Sequence, residues 1–268
     1  MLLIQQTIHR FVAVLSDKIP HRLLRNGICL LLLLAANSYT PTFAETDKDS
    51  IGTTEKTVYL FSGLGADESP FGNLNLPGYK MVPVTWISPI PNETLSHYAE
   101  RIKSQIKVQN PYVIGLSFGG VVAVEVAKLM DVKKMVLISS VKTKHNLNPI
   151  QNFFMKLGIY KILPGSFLRQ TNFLTNSYFG AKTERDKHTL LNMLKDTDIS
   201  LFRWGLKSIA HWDNITPPDR TIHIHGTSDK VIAYRYTKPD YSIKGGSHLM
   251  VYNRADTISK IILQYFED

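Results

Sequence analysis

The sequence predicts an α/β fold: an open, mostly parallel sheet with helices on both faces and a helical insertion before the last strands. Three observations predict it. From Thr57 to Ser140, short apolar runs alternate with stretches of helical period. Those runs are continuous rather than alternating, the pattern of parallel strands covered on both faces. After Ser140 roughly 80 residues pass before the next convincing strand, far more than a structureless loop would occupy.

The first strand is read in TVYLFS (57–62), rich in β-branched and aromatic residues and stopped by Gly63. YKMVPVTWI (79–87) is the second, and Pro83 within it points to an irregularity or a sheet edge. Asn92-Glu93-Thr94 opens a helix expected to run to about Val108. PYVIGL (111–116) and KKMVLIS (133–139) are two more strands. Between them lies a helix from Phe118 to Met130, with Val121, Val122, Val124, Ala127 and Met130 on its apolar face.

The long insertion holds Phe153, Phe154, Tyr160, Phe167, Phe173, Tyr178 and Phe179, which are expected to pack it against itself and the sheet. It also holds helical stretches at Glu184 to Lys195 and Ile199 to Trp212. RTIHIHG (220–226) and DYSIK (240–244) read as further strands, and Ala255 to Phe266 as a closing amphipathic helix. The expected organisation is a leader at 1–44, a core from 45–140 and 216–268, and a helical cap at 141–215.

Composition narrows the chemistry. Of 268 residues, 44% are hydrophobic and 20% charged, the balance of an ordinary globular protein able to bury a large core. Arg10, Lys18, Arg22 and Arg25 precede the apolar run Ile28 to Ala36, and Thr42-Phe43-Ala44 follows a polar stretch. Basic, then apolar, then small is the order of an export signal. The apolar run is about nine residues against the ~20 a bilayer-crossing helix needs, so cleavage is expected, with an uncleaved membrane attachment as the alternative.

The single cysteine, Cys29, falls inside that run, and a chain beginning near Glu45 would contain no disulfide, zinc cluster or cysteine nucleophile. The whole chain carries 31 Lys and Arg against 22 acidic residues. The first 44 residues hold four and one of these, leaving 27 against 21, a net of +6. The basic residues are scattered, with no aromatic-interleaved stripe, so nucleic acid is not an expected partner; peripheral contact with an anionic membrane is compatible with the charge.

The candidate chemistry centres on Gly115-Leu116-Ser117-Phe118-Gly119, placed between a strand and a helix. A turn there projects Ser117 above the sheet with the positive helix end beneath it. A serine hydroxyl at neutral pH needs a base, a group to orient that base, and donors for the oxyanion that forms.

His248 follows the last strand and two glycines, at the strand-end edge where Ser117 would lie, and is the candidate base. His225 is the runner-up, though within HIHG it reads more simply as a packed strand residue. His97, His145, His188 and His211 lie on helices or in the insertion. Asp229, just after RTIHIHG, is the candidate orienting acid; the competing position, at the end of the strand before the insertion, holds Ser139 and Ser140. The Phe118 N–H and the Leu64 N–H, in Gly63-Leu64-Gly65, are the candidate oxyanion donors. Gly63-x-Gly65 also hints at a dinucleotide loop, but Glu68 stands where the third glycine would be. No metal-binding or nucleotide-binding motif is present, and no cofactor is expected.

FSGLGAD, GLSFGG, HGTSDKVI and GGSHLMV, in that order, resemble the α/β-hydrolase superfamily over about Lys56 to Asp268. The resemblance implies Ser117 as nucleophile, Asp229 as acid, His248 as base, and a helical cap where the insertion falls. Glu45 to Glu55 is too short to supply two strands before TVYLFS, so a reduced sheet of about six strands is expected. The expected activity is that of an exported serine hydrolase acting on a small-molecule acyl substrate. An acyltransferase or other cofactor-independent enzyme using the same triad, and a non-catalytic binding protein, are the alternatives. Asp67, Glu68 and Trp204 are further candidates for lining the pocket.

Overall fold

The computed structural model describes residues 56–158, 172–195 and 197–268. The expected leader at 1–44, and Tyr160 and Phe167, lie outside the described residues.

Six strands form one sheet: β1 Lys56–Phe61, β2 Tyr79–Pro83, β3 Tyr112–Leu116, β4 Lys134–Ile138, β5 Thr221–Gly226 and β6 Tyr241–Ile243. The order is β2-β1-β3-β4-β5-β6 and every pairing is parallel, which completes the expected mostly parallel sheet. β2 is an edge strand and Pro83 ends it, so the expected run to Ile87 is cut short. Proline has no N–H for the ladder, and the chain turns away after Val84 N–H donates to Leu60 O at 2.9 Å.

Two-residue alternation divides the side chains between two cores. Tyr59, Phe61, Val113, Met135 and Leu137 share one with Tyr98, Ile102, Val122 and Val126. Val58, Leu60, Ile114, Val136, Ile138 and Ile224 share the other with Ile258, Ile262 and Phe266. The first core is covered by helices α1 (Leu95–Lys103) and α2 (Phe118–Ala127). Leu95, Tyr98, Ala99 and Ile102 are the buried stripe of α1, and Thr94 caps it by accepting from His97 N–H at 3.2 Å.

Helix α1 stops five residues before the expected Val108. Gln105 bonds the Thr85 backbone twice, at 2.9 and 2.7 Å, and pulls the chain out of line. Helix α2 likewise ends at Ala127 rather than Met130, because Lys128 and Leu129 bond carbonyls only three residues back and tighten the last turn.

Between β4 and β5 the described residues contain helices and no strand: α3 Pro149–Lys156, α4 Phe173–Phe179, α5 Glu184–Lys195 and α6 Ile199–Ala210. Burial of the insertion's aromatics is corrected, since Phe153, Phe154, Phe173 and Tyr178 are all exposed. Part of the reason is that Phe154, Tyr178 and Phe179 line a cavity instead of filling a core. The short helix α7 (Met250–Asn253) and the closing helix α8 (Ala255–Glu267) follow β6, and α8 presses Ile258, Ile262 and Phe266 onto the second core.

Candidate active site

All six strands run parallel, so the connections leaving their carboxyl ends gather on one edge of the sheet. Ser117 follows β3, Asp229 follows β5, His248 follows β6 and Leu64 follows β1. Sequence separations of more than a hundred residues collapse there.

Ser117 sits at φ 51°, ψ −123°, a left-handed conformation that costs a non-glycine residue about 1–3 kcal/mol. Its neighbours hold it there. The Ser117 N–H donates to Ile138 O at 3.0 Å; its carbonyl accepts from Gly120 N–H at 3.0 Å and from Ser140 Oγ at 2.7 Å. The glycines are required by close approach: a Cβ on Gly119 would lie 2.2 Å from Phe61 O, and one on Gly115 would lie 2.5 Å from Gly120 Cα. The turn therefore fits only where β3 meets β1, whose Phe61 is in register with Gly115.

The structure brings the three candidate side chains into one line. His248 Nε2 is 3.0 Å from Ser117 Oγ, and His248 Nδ1 is 2.8 Å from Asp229 Oδ2. Asp229 is 5% exposed and His248 7%. The other Asp229 oxygen accepts from Val231 N–H at 2.9 Å and Ile232 N–H at 3.0 Å, an Asx turn that fixes the carboxylate plane. Burial alone would raise the Asp229 pKa, but the charge and hydrogen bond of His248, then His225 and the Ile232 N–H, outweigh it and hold the carboxyl below its ordinary value.

Leu64 and Phe118 both border the cavity that opens at Ser117. The loop carrying Leu64 is pinned by Trp86, a residue that sequence reasoning missed. The indole N–H stands 3.1 Å from Ser62 Oγ, 3.2 Å from Gly63 O and 3.1 Å from Ala66 O. Ser62 Oγ itself donates to Ala66 O across the turn. Trp86 also stacks on Phe118, with ring centroids 5.6 Å apart, so one side chain supports both candidate oxyanion donors. A tryptophan just past an edge strand carries no signal of that role.

The remaining candidates fall elsewhere. Asp67 and Glu68 line a separate cleft beside β2. Trp204 packs on Tyr98 and Phe118 and donates to Glu93 O at 3.0 Å, without bordering the cavity. His97 pairs with Glu93 at 2.8 Å. His225 is fully buried in β5, as a packed strand residue would be, yet it lies next to Asp229.

The cavity at Ser117 measures about 510 Å³ and is walled mainly by Leu, Ile, Val, Phe and Met side chains from both the sheet edge and the inserted helices. No Asp, Glu, Lys or Arg lines it among the described residues. Two of its polar side chains are already engaged: Gln151 donates to Tyr178 OH at 2.9 Å, and Asn148 caps α3. Among the described residues no group of three or more His, Cys, Asp or Glu is placed to hold a metal ion.

A six-stranded parallel sheet, a strained serine between strand and helix, and an acid and a histidine on later strand ends define the α/β-hydrolase fold. The chain is built on that fold. It is similar to a bromoperoxidase from Bacillus anthracis, at 18% identity over 80% of this chain and 93% of that one, with a TM-score of 0.59. It is similar also to an esterase from Exiguobacterium antarcticum, at 17% identity over 80% and 92%, with a TM-score of 0.60. An enol-lactonase from Burkholderia xenovorans LB400 matches at 16% identity over 80% and 92%, again with a TM-score of 0.60. No protein-family model matches the sequence, and no curated protein matches it.

Proposed function

We propose that the protein is a serine hydrolase that cleaves an ester or related acyl bond through an acyl-Ser117 intermediate. The observation that carries this reading is the hydrogen-bonded line from Asp229 through His248 to Ser117, ending in an apolar cavity. His248 Nε2 takes the Ser117 proton as Oγ attacks the acyl carbon, then returns it to the departing alcohol oxygen. Water then attacks the acyl-enzyme, with His248 again removing its proton. Asp229 keeps the Nδ1–H tautomer in place, and the Leu64 and Phe118 N–H groups receive the developing oxyanion.

The cavity wall supports an apolar acyl group rather than a sugar or a charged one. A polar group buried there would lose its hydration without gaining partners. About 510 Å³ lies within the range of pockets that enclose whole small ligands, so chains well beyond acetyl have room. The basic-apolar-small order of residues 1–44 supports export.

The test is turnover of a series of activated esters by the purified chain and by Ser117→Ala. The substitution should cost roughly 10³-fold or more. Specificity should rise with acyl length by up to about fourfold per methylene until the cavity is full. Wild-type turnover by Ser117→Ala would sink the mechanism. A product that forms only when an alcohol acceptor is added would turn the reading towards acyl transfer.

A further inference from the structure

Behind the Asp229 carboxylate, β5 carries two histidines, His223 and His225, both 0% exposed and neither used by the proposed mechanism. Their contacts form an ordered chain. His225 Nε2 is 2.8 Å from the Ile232 carbonyl oxygen and 3.4 Å from Asp229 Oδ2. His225 Nδ1 is 3.0 Å from His223 Nε2.

A carbonyl oxygen only accepts, so His225 must carry its proton on Nε2. Its Nδ1 is then bare and must accept, so His223 donates from its own Nε2–H. Burial pushes both imidazoles towards the neutral form, with His223 brought down to about 3. The tautomers are thus set by geometry, from His223 through His225 to Ile232.

Ile232 is one of the two residues, with Val231, whose N–H groups hold Asp229 Oδ1. We propose that His225 is a positioning residue for Asp229: its Nε2–H clamps the Ile232 carbonyl, closes the 229–232 turn on strand β5, and points Asp229 Oδ2 at His248. This rests on the reading of Ser117, Asp229 and His248 as a triad. His223 fixes the tautomer that makes the clamp possible. Other polar or charged groups around the pair are the Ser140 backbone beside His223, the His248 imidazole across Asp229 from His225, the Tyr234 ring, 6.4 Å from His225, and the Lys142–Asp240 pair, in which Asp240 Oδ2 accepts from the His223 backbone N–H at 2.7 Å. None of them donates to the Ile232 carbonyl in its place.

The experiment compares His225→Gln, whose amide N–H reaches about as far as Nε2, with His225→Asn, whose amide stops short. Thermal unfolding establishes that each is folded, and His225→Met replaces the Asn variant if it is not. The expected result is a kcat about tenfold lower for Asn with KM within roughly twofold of wild type, and a kcat for Gln within about threefold of wild type. Equal kcat for the long and short side chains would overturn the clamp. A second readout needs no turnover: ¹⁵N-histidine NMR of the native chain should show His225 and His223 as Nε2–H tautomers. A bare Nε2 on His225 also overturns the proposal. Because that spectrum is independent of catalysis, it separates failure of the clamp from failure of the triad, which Ser117→Ala reports.

Discussion

His248 Nδ1 lies 2.8 Å from Asp229 Oδ2, with both side chains almost wholly buried and the two residues delivered by different strand ends. That contact makes Nε2 the free nitrogen and aims it at Ser117. Asp229→Asn would keep the shape but offer an amide N–H where an acceptor is needed, favouring the wrong tautomer of His248. Turnover should fall by about 10⁴-fold with the fold intact, as read by ester hydrolysis and circular dichroism. Retention of more than a tenth of the activity would contradict the orienting role.

Trp86 should matter to rate more than to binding. Trp86→Phe keeps the stacking surface on Phe118 but removes the N–H shared by Ser62, Gly63 and Ala66. The loop bearing the Leu64 N–H should loosen, lowering kcat roughly tenfold with little change in KM, less than the 10² to 10³ lost with a whole oxyanion donor. Steady-state kinetics on one activated ester decides it; unchanged kcat would mean that the loop holds its own shape.

Gly119→Ala should be costly, because the new methyl would sit 2.1 Å from Ser62 O and 2.2 Å from Phe61 O. Both are backbone atoms, Phe61 ending β1 and Ser62 following it, and cannot swing aside. A loss of about 1–3 kcal/mol or more is expected in urea unfolding, together with loss of activity as Ser117 is displaced.

Stability should fall with acid, beginning well above the carboxylate range. Below pH 6.5 the unfolded chain takes up a proton at His223 that the folded chain refuses until about 3, and His225 shifts in the same direction. The unfolded state then binds more protons, so folding weakens as pH drops, by up to about 1.4 kcal/mol per pH unit for each histidine. Asp229 acts lower: its depressed pKa stabilises the fold above the ordinary carboxylate value, and that contribution disappears as pH falls through the depressed one. Urea midpoints between pH 7.5 and 4.5 should show the decline, and His223→Asn should make it shallower. A flat profile in the native chain would show that the folded imidazoles take up protons as readily as the unfolded ones.

Leu206, on α6, borders the cavity from the inserted helices. Leu206→Trp should shorten the acyl length accepted, lowering kcat/KM for an eight-carbon ester at least about tenfold while leaving a two-carbon ester nearly unchanged. An equal effect on both esters would place the acyl chain elsewhere.

The parallel sheet and its carboxyl edge are legible in the residues alone. Continuous apolar runs at 57–62, 111–116 and 133–139 bury on both faces, and this favours parallel strands whose carboxyl ends coincide. The glycines around Ser117 were legible because backbone crowding leaves no other residue possible there. Asp229 and His248 could be picked out by their places after strands, since chain order and parallel topology together fix which loops meet.

What lies a few ångströms behind those residues depends on how distant segments pack. His225 looked like strand packing, and packed it is; that its N–H holds Ile232 depends on how the 229–232 turn folds back over β5, which no local pattern encodes. Trp86 and Ser140 reach the site across strand pairings, not along the chain. The aromatics of the insertion are exposed or wall a cavity for the same reason. Whether an aromatic fills a core or walls a cavity is set by the surface opposite it, and that surface comes from distant segments.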